Sequence, residues 1–295
     1  MGEGSDERAR LNVAFRRHDR QWQANLYVYP VISRRSRGVS IGLNLNPDKA
    51  CNFDCVYCQV DRTVPPAVRK VDLAILEREL TTLVELAASG ALFESAPFDL
   101  LPPEGRRVRD IAFSGDGEPT TYPKFREAVE IAARVRKAFG LTDTKLVLIT
   151  DAAYLARPAV REALRVLDEN NGEIWAKLDA GTEAYFEMVD RPNVTLAAVL
   201  ESILDAARVR PVVIQTLWMK VRGAAPPPDE IDAYCDRLNE LLTAGGRLKT
   251  LQLYTIARAT AENWVAALTD AELDGIAARV RARVAVPVEV YYGAG

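Results

Sequence analysis

The sequence predicts an α/β fold: a partial parallel TIM-like barrel of the (β/α)6 type, preceded by an N-terminal extension. Three observations carry this reading. Short apolar runs alternate with stretches of helical spacing along the body, which implies parallel strands joined by helical crossovers. Polar exceptions gather where each apolar run ends, the end at which such barrels place their chemistry. The 295 residues are 48% hydrophobic, enough for one large core.

The elements follow in order. Residues 40–45 (SIGLNL) read as a short strand, and residues 71–88 have helical apolar spacing. Residues 109–113 (RDIAF) form a second strand. A Gly-rich turn and a helix over 122–139 follow, with Gly140 as the stop. Strand and helix then alternate: strand 145–149, helix 159–167, strand 173–178, helix 195–209, strand 212–219, helix 229–242 and strand 250–254. A helix over 270–284 and a strand over 288–291 complete the chain. The expected division is an extension, 1–38, and one barrel domain, 39–295.

Composition excludes several chemistries. The single histidine, His18, lies in the charged run RRHDR, so HExxH or three-histidine zinc sites and Ser-His-Asp triads are out. No window approaches the ~20 apolar residues of a membrane span. No secretory h-region is visible at the start, and a cytoplasmic location is the expectation. The net charge of −3 hides an asymmetry, because residues 1–38 hold eight arginines against four acids. Phe15, Trp22, Tyr27 and Tyr29 lie among those charges. That arm is either an RNA- or anion-binding element or a solvated edge packed on the domain.

Three of the four cysteines fall within eight residues, Cys51-Asn-Phe-Asp-Cys55-Val-Tyr-Cys58. Four thiolates usually close a [4Fe–4S] cluster, so three leave one iron open to another ligand. Zinc would need a fourth ligand, either Cys235 or an acid. Lys177 is one of eight lysines against thirty arginines. It interrupts the apolar strand IWAKLDA, where a charge needs a partner. It is read as a structural ion pair with Asp179, as an anion-binding or substrate-anchoring group, or as a Schiff-base lysine.

CxxxCxxC after a first barrel strand, with Tyr57 before the third cysteine, resembles the radical S-adenosylmethionine enzymes. The resemblance implies a [4Fe–4S] cluster on Cys51, Cys55 and Cys58. It further implies S-adenosylmethionine chelated to the open iron and cleaved reductively to a 5′-deoxyadenosyl radical. It implies an enzyme that abstracts hydrogen from a substrate and takes its electron from a donor such as flavodoxin or ferredoxin. The turn Ser114-Gly-Asp-Gly-Glu-Pro-Thr120 resembles the family's GGEP-like turn, which holds the cofactor's amino group. Gly115, Asp116, Gly117 and Glu118 match by position, with Asp116 replacing the commoner second glycine. Glycine lets a backbone approach a ligand closely. Asp179 is a candidate for a ribose hydroxyl, and Thr150 and Gln215 are lesser cofactor-binding candidates.

Across residues 39–292 the pattern is similar to the branch containing the wyosine-base radical enzymes. NLNPDKACNFDCVYC, FSGDGEPT, WAKLDAG, the DRPN turn and QTLWM carry that likeness. A nucleoside or RNA base is therefore the leading substrate class. A peptide, a small metabolite, or a non-catalytic iron–sulfur electron-transfer role are the alternatives. No cysteine precedes Cys51 and no flavodoxin-like segment is present, unlike the wyosine enzymes.

Overall fold

The structure is a computed structural model that describes residues 22–260 and 262–293. His18 and most of the basic arm lie outside the described residues. An eight-stranded sheet runs in the order β1 (Val28–Ser33), β2 (Gly38–Leu43), β3 (Val108–Phe113), β4 (Lys145–Thr150), β5 (Gly172–Lys177), β6 (Val212–Leu217), β8 (Leu248–Tyr254) and β10 (Val288–Tyr291). From β2 onward every pairing is parallel. The edge strands β1 and β10 do not pair with each other, so the barrel is open. A two-stranded ribbon of β7 (Met219–Val221) and β9 (Val265–Ala267) stands apart.

The crossover helices are α1 (Leu73–Ala88), α2 (Phe125–Ala138), α3 (Pro158–Asp168), α4 (Glu183–Asp190), α5 (Leu196–Val209), α6 (Pro228–Thr243) and α7 (Asp270–Arg283). Six match the expected helices to within a few residues. Gly140 takes the left-handed conformation just past α2, with φ +64°, as a helix stop requires. No helix among the described residues is long and apolar enough to cross a membrane.

Two elements depart from expectation. Residues 28–33 are the first strand of the sheet, antiparallel to β2 with Val28 opposite Leu43 and Ser33 opposite Gly38. Residue 38, where the boundary was expected, opens β2 and so lies inside this β-hairpin, and β1 within the extension is a sheet edge. Pro30 in that strand obscures it in the sequence, but an edge strand tolerates the missing N–H. The eight-residue helix α4 also went unread.

Strand parity divides the core. Ile111, Phe113, Leu146, Leu148, Ile174, Ala176, Ile214, Leu251 and Leu253 join the main apolar cluster with the helices. Their neighbours Ala112, Val147, Trp175 and Val213 form a thin second cluster, with Ile149 against it. The period of two thus sends Trp175 and Lys177 to the concave face, and Tyr254 with them. That face is too sparsely apolar to be a core. It forms the wall of a cavity.

Candidate functional site

The cavity has a volume of about 320 Å³, and Cys51, Cys55 and Cys58 all line it. The loop carrying them leaves β2 and is docked on α4. Val56 N donates to Val189 O at 2.9 Å. The Phe53 ring meets Phe186 edge-on, with centroids 5.6 Å apart. Cys58 N donates to Cys55 O at 2.9 Å, and the Arg62 guanidinium donates to Cys58 Sγ at 3.4 Å. Burial pushes the Cys51 thiol up to about 11. Cys55 is raised by burial and then by Asp190.

Among the described residues no three His, Cys, Asp or Glu side chains converge on a single-ion position. Cys235 is fully buried in α6 and does not line the cavity, so it is no fourth ligand. A donor set of three thiols on one loop, facing a cavity with Arg62 and Lys177 as countercharges, fits a multi-iron cluster.

The turn after β3 is clasped to this loop. Asn44 Nδ2 donates to Asp116 Oδ2 at 2.7 Å, and Asp116 N donates to Asn44 Oδ1 at 3.1 Å. A Cβ on Gly117 would lie 2.0 Å from Ala50 O, and one on Gly115 would lie 2.4 Å from Asn44 Oδ1. The sequence suggested glycines for close approach to a ligand. The structure gives a different reason, since both bring one loop of the protein against another. Glu118 Oε1 accepts from Thr120 N (3.0 Å), Thr120 Oγ1 (2.6 Å) and Thr150 Oγ1 (2.8 Å), and Oε2 accepts from Asp151 N (2.8 Å). Glu118 and Asp151 are 3% and 7% exposed and both line the cavity. Burial raises both carboxyls, and Asp151 is raised further by Glu118. The Asp151 carboxyl has the neutral Asn52 amide as its side-chain neighbour and forms no ion pair among the described residues. Two buried acids without a cation are the arrangement that an ammonium group would satisfy.

Lys177 is already partnered. Its Nζ lies 2.9 Å from Asp179 Oδ2, donates to Tyr254 Oη at 3.0 Å, and sits 4.7 Å from the Tyr57 ring centroid. Burial alone would lower its pKa, but Asp179, followed by Tyr254, Cys55 and Asp190, raises it. The ammonium is therefore held protonated. Tyr57 Oη donates to Asp179 Oδ2 (2.5 Å) and Asp190 Oδ1 (3.0 Å), tying the cysteine loop to β5 and α4. Leu217 N donates to Asp179 Oδ1 at 2.6 Å. Asp179 is 1% exposed and is not among the residues lining the cavity. Gln215 also lies outside that lining. It is buried, and its Nε2 donates to Gln252 Oε1 at 2.8 Å. Thr150, Tyr57 and Lys177 do line the cavity.

No family model matches the chain. A UPF0026 protein of Helicobacter pylori is 26% identical over 224 residues, covering 75% of this chain and 65% of that protein. The chain spans about a third to two thirds of the length of the curated relatives it matches. SuiB of Streptococcus suis, solved bound to S-adenosylmethionine, superposes with a TM-score of 0.58 at 11% identity, covering 88% of this chain and 52% of that one. TYW1 with a lysine–pyruvate adduct bound gives a TM-score of 0.53 at 14% identity, covering 84% and 74%. The chain shares the open α/β barrel fold of SuiB and TYW1.

Within that fold, Asp151 and Arg35 line the cavity and Asn44 lies beside it, and none of them was singled out as a site residue from the sequence. Asp151 follows Thr150 at the end of β4, where a strand-end acid was visible without a role. Asn44 occupies the same position on β2 and proves to be the clasp for Asp116. Arg35, on the β1–β2 turn, was hidden among the charges of the extension. Only tertiary folding brings it to the concave face.

Proposed function

We propose that this chain is a radical S-adenosylmethionine enzyme that holds a [4Fe–4S] cluster on Cys51, Cys55 and Cys58. The observation that supports it best is the pairing, across one cavity, of three thiols from a single loop with the uncompensated acids Glu118 and Asp151. When bound, cluster and cofactor supply a 5′-deoxyadenosyl radical from reductive cleavage of S-adenosylmethionine. The protein's part is positional. Glu118 and Asp151 attract the cofactor's ammonium, and their fixed hydrogen bonds keep the carboxylates in place before it arrives. Tyr57, Asp179 and Asp190 lock the cysteine loop to β5 and α4, and Lys177 balances the acids behind that loop. The curled sheet shields the centre from water. An external donor such as flavodoxin or ferredoxin supplies the electron. A nucleoside or RNA base is the substrate class in view, on the motif likeness to the wyosine branch.

Anaerobic reconstitution followed by dithionite and S-adenosylmethionine should yield 5′-deoxyadenosine by mass spectrometry. Cys51→Ala, Cys55→Ala or Cys58→Ala should abolish it, and Cys235→Ala should not. Loss of the cluster in Cys235→Ala, or no 5′-deoxyadenosine from fully iron-loaded protein, defeats the proposal.

A further inference from the structure

The cavity has a second pole that the cofactor reading leaves unused. Arg34 and Arg35 sit on the turn between β1 and β2, and both line the cavity. The Arg35 guanidinium lies 5.4 Å from the centroid of Trp175 and 5.2 Å from that of Tyr254. These two rings fix it over the concave face. Its neighbour Arg34 donates to Tyr292 O, beyond the last strand, so the turn reaches from the first strand to the far edge of the open barrel.

A guanidinium carries five N–H donors in a planar fork. Arg35 has ring contacts but no hydrogen bond and no ion pair among the described residues. The buried Asp110 feels its charge without closing to ion-pair distance. Asp110 instead accepts from Ser40 Oγ. Arg34 has its pKa lowered by burial and then by Arg35, with Tyr254 acting the other way, so the two guanidinium groups are close enough to repel one another. Tyr254 separates this pair from Lys177, whose charge is taken by Asp179. The cavity is therefore bipolar. Acids and thiols occupy one part, and one aromatic ring beyond Lys177 two arginines present free donors.

We propose that Arg35, assisted by Arg34, is the subsite that binds an oxyanion of the substrate, so that the substrate is an anionic molecule bearing a phosphate or carboxylate. This rests on the cavity being the active site of the proposed enzyme. A planar, aromatic-backed guanidinium suits bidentate capture of either oxyanion. Trp175 lies against Arg35 and gives the site its own optical probe.

The test titrates inorganic phosphate, and separately acetate, into the protein at fixed ionic strength, with chloride as reference and tryptophan fluorescence as readout. A saturating response to phosphate or acetate above the chloride reference is expected. It should weaken about ten- to a hundredfold in Arg35→Gln, the loss of one charge-assisted interaction, and less in Arg35→Lys. Trp175→Phe should remove the signal while phosphate binding by equilibrium dialysis persists. A response equal to chloride, or an unchanged titration in Arg35→Gln or Arg35→Lys protein that melts normally, overturns the subsite. S-adenosylmethionine affinity should be unchanged in Arg35→Gln. A tenfold loss there would reassign the arginines to the cofactor's carboxylate and overturn the substrate assignment. 5′-Deoxyadenosine formation is measured on the wild type in parallel. If the wild type forms none yet binds phosphate as described, the enzyme reading fails and the anion subsite stands.

Discussion

Replacing Lys177 by methionine separates the structural from the functional meaning of the buried lysine. Lys177 is the cation closest to Asp179, whose side chain is 1% exposed. Removing one partner of a buried ion pair costs about 3–5 kcal/mol, because the remaining charge is left uncompensated. Asp179 keeps its bonds from Tyr57 Oη and Leu217 N and can take up a proton, so the low end, about 3 kcal/mol, is expected. At about 2.1 cal/mol/K of unfolding entropy per residue, 1 kcal/mol moves the melting temperature of a chain this long by roughly 1.6 °C. Lys177→Met should therefore melt roughly 5 °C below wild type. The double variant Lys177→Met/Asp179→Asn, with the stranded charge removed, should recover at least half of that.

The assay is thermal and urea denaturation of anaerobically prepared protein, with S-adenosylmethionine binding measured alongside. Lys177 is occupied by Asp179 and Tyr254 Oη, so cofactor affinity should fall less than tenfold. A melting temperature within about 2 °C of wild type, combined with a ten- to a hundredfold loss of affinity, would refute this assignment. It would make Lys177 a ligand-binding group.

The remaining predictions draw on other parts of the site. Asp151→Asn should stabilise the ligand-free protein by about 1 kcal/mol at neutral pH, with the gain shrinking toward pH 4. The sign follows from the raised pKa of Asp151: the folded state keeps a proton that the unfolded chain sheds above about 3.9, so wild type loses stability as pH rises and the amide does not. Paired melts across pH 4 to 8 check it, and a pH-independent difference would contradict it. Gly117→Ala should displace the cysteine loop, since its Cβ would lie 2.0 Å from Ala50 O; it should be seen as reduced iron retention and a lower melting temperature. Gly275→Ala, exposed within α7 with open space around its Cβ, should instead stabilise by about 0.5–1 kcal/mol. Borohydride with pyruvate should leave Lys177 unmodified at neutral pH, because Asp179 holds it protonated and a protonated amine is no nucleophile. A mass increase on the peptide carrying Lys177 would show otherwise.

The parallel strands and their helices were legible because each is a long, strongly periodic segment bounded by Gly, Pro or a polar strand end. β1 was not legible, since Tyr27–Val31 surround Pro30 and the charges that follow suggest an arm. α4 was missed because its eight residues, Glu183–Asp190, are too few to show a helical period. At the site, the cysteines and the Gly-Asp-Gly-Glu turn announce themselves through spacing alone. The partners of Asp179 and Gln215 did not follow from strand position. Both sit near strand ends, but Asp179 turns behind the cysteine loop toward Lys177 and Tyr57, and Gln215 meets Gln252 beneath the cavity. Pairings between side chains dozens of residues apart leave no local trace in a sequence.

The arrangement of buried acids explains why the cavity has the polarity it does. Asp179 and Asp190 share Tyr57 as donor, and Lys177 acts on both. This group links β5, α4 and the cysteine loop and is compensated within the protein. Glu118 and Asp151 are buried to nearly the same degree but receive hydrogen bonds from neutral groups only. Two carboxyls in low dielectric repel one another, and hydrogen bonds from neutral donors do not remove that repulsion. A fold selected for stability alone would place a lysine or arginine beside them, as it does beside Asp179. Arginines are present in the same cavity, yet Arg35 is pinned to Trp175 and Tyr254 and makes no ion pair with either acid. Held apart in this way, the acids stay open to a cation and the arginines stay open to an anion, which is the division that two differently charged ligands in one chamber would require.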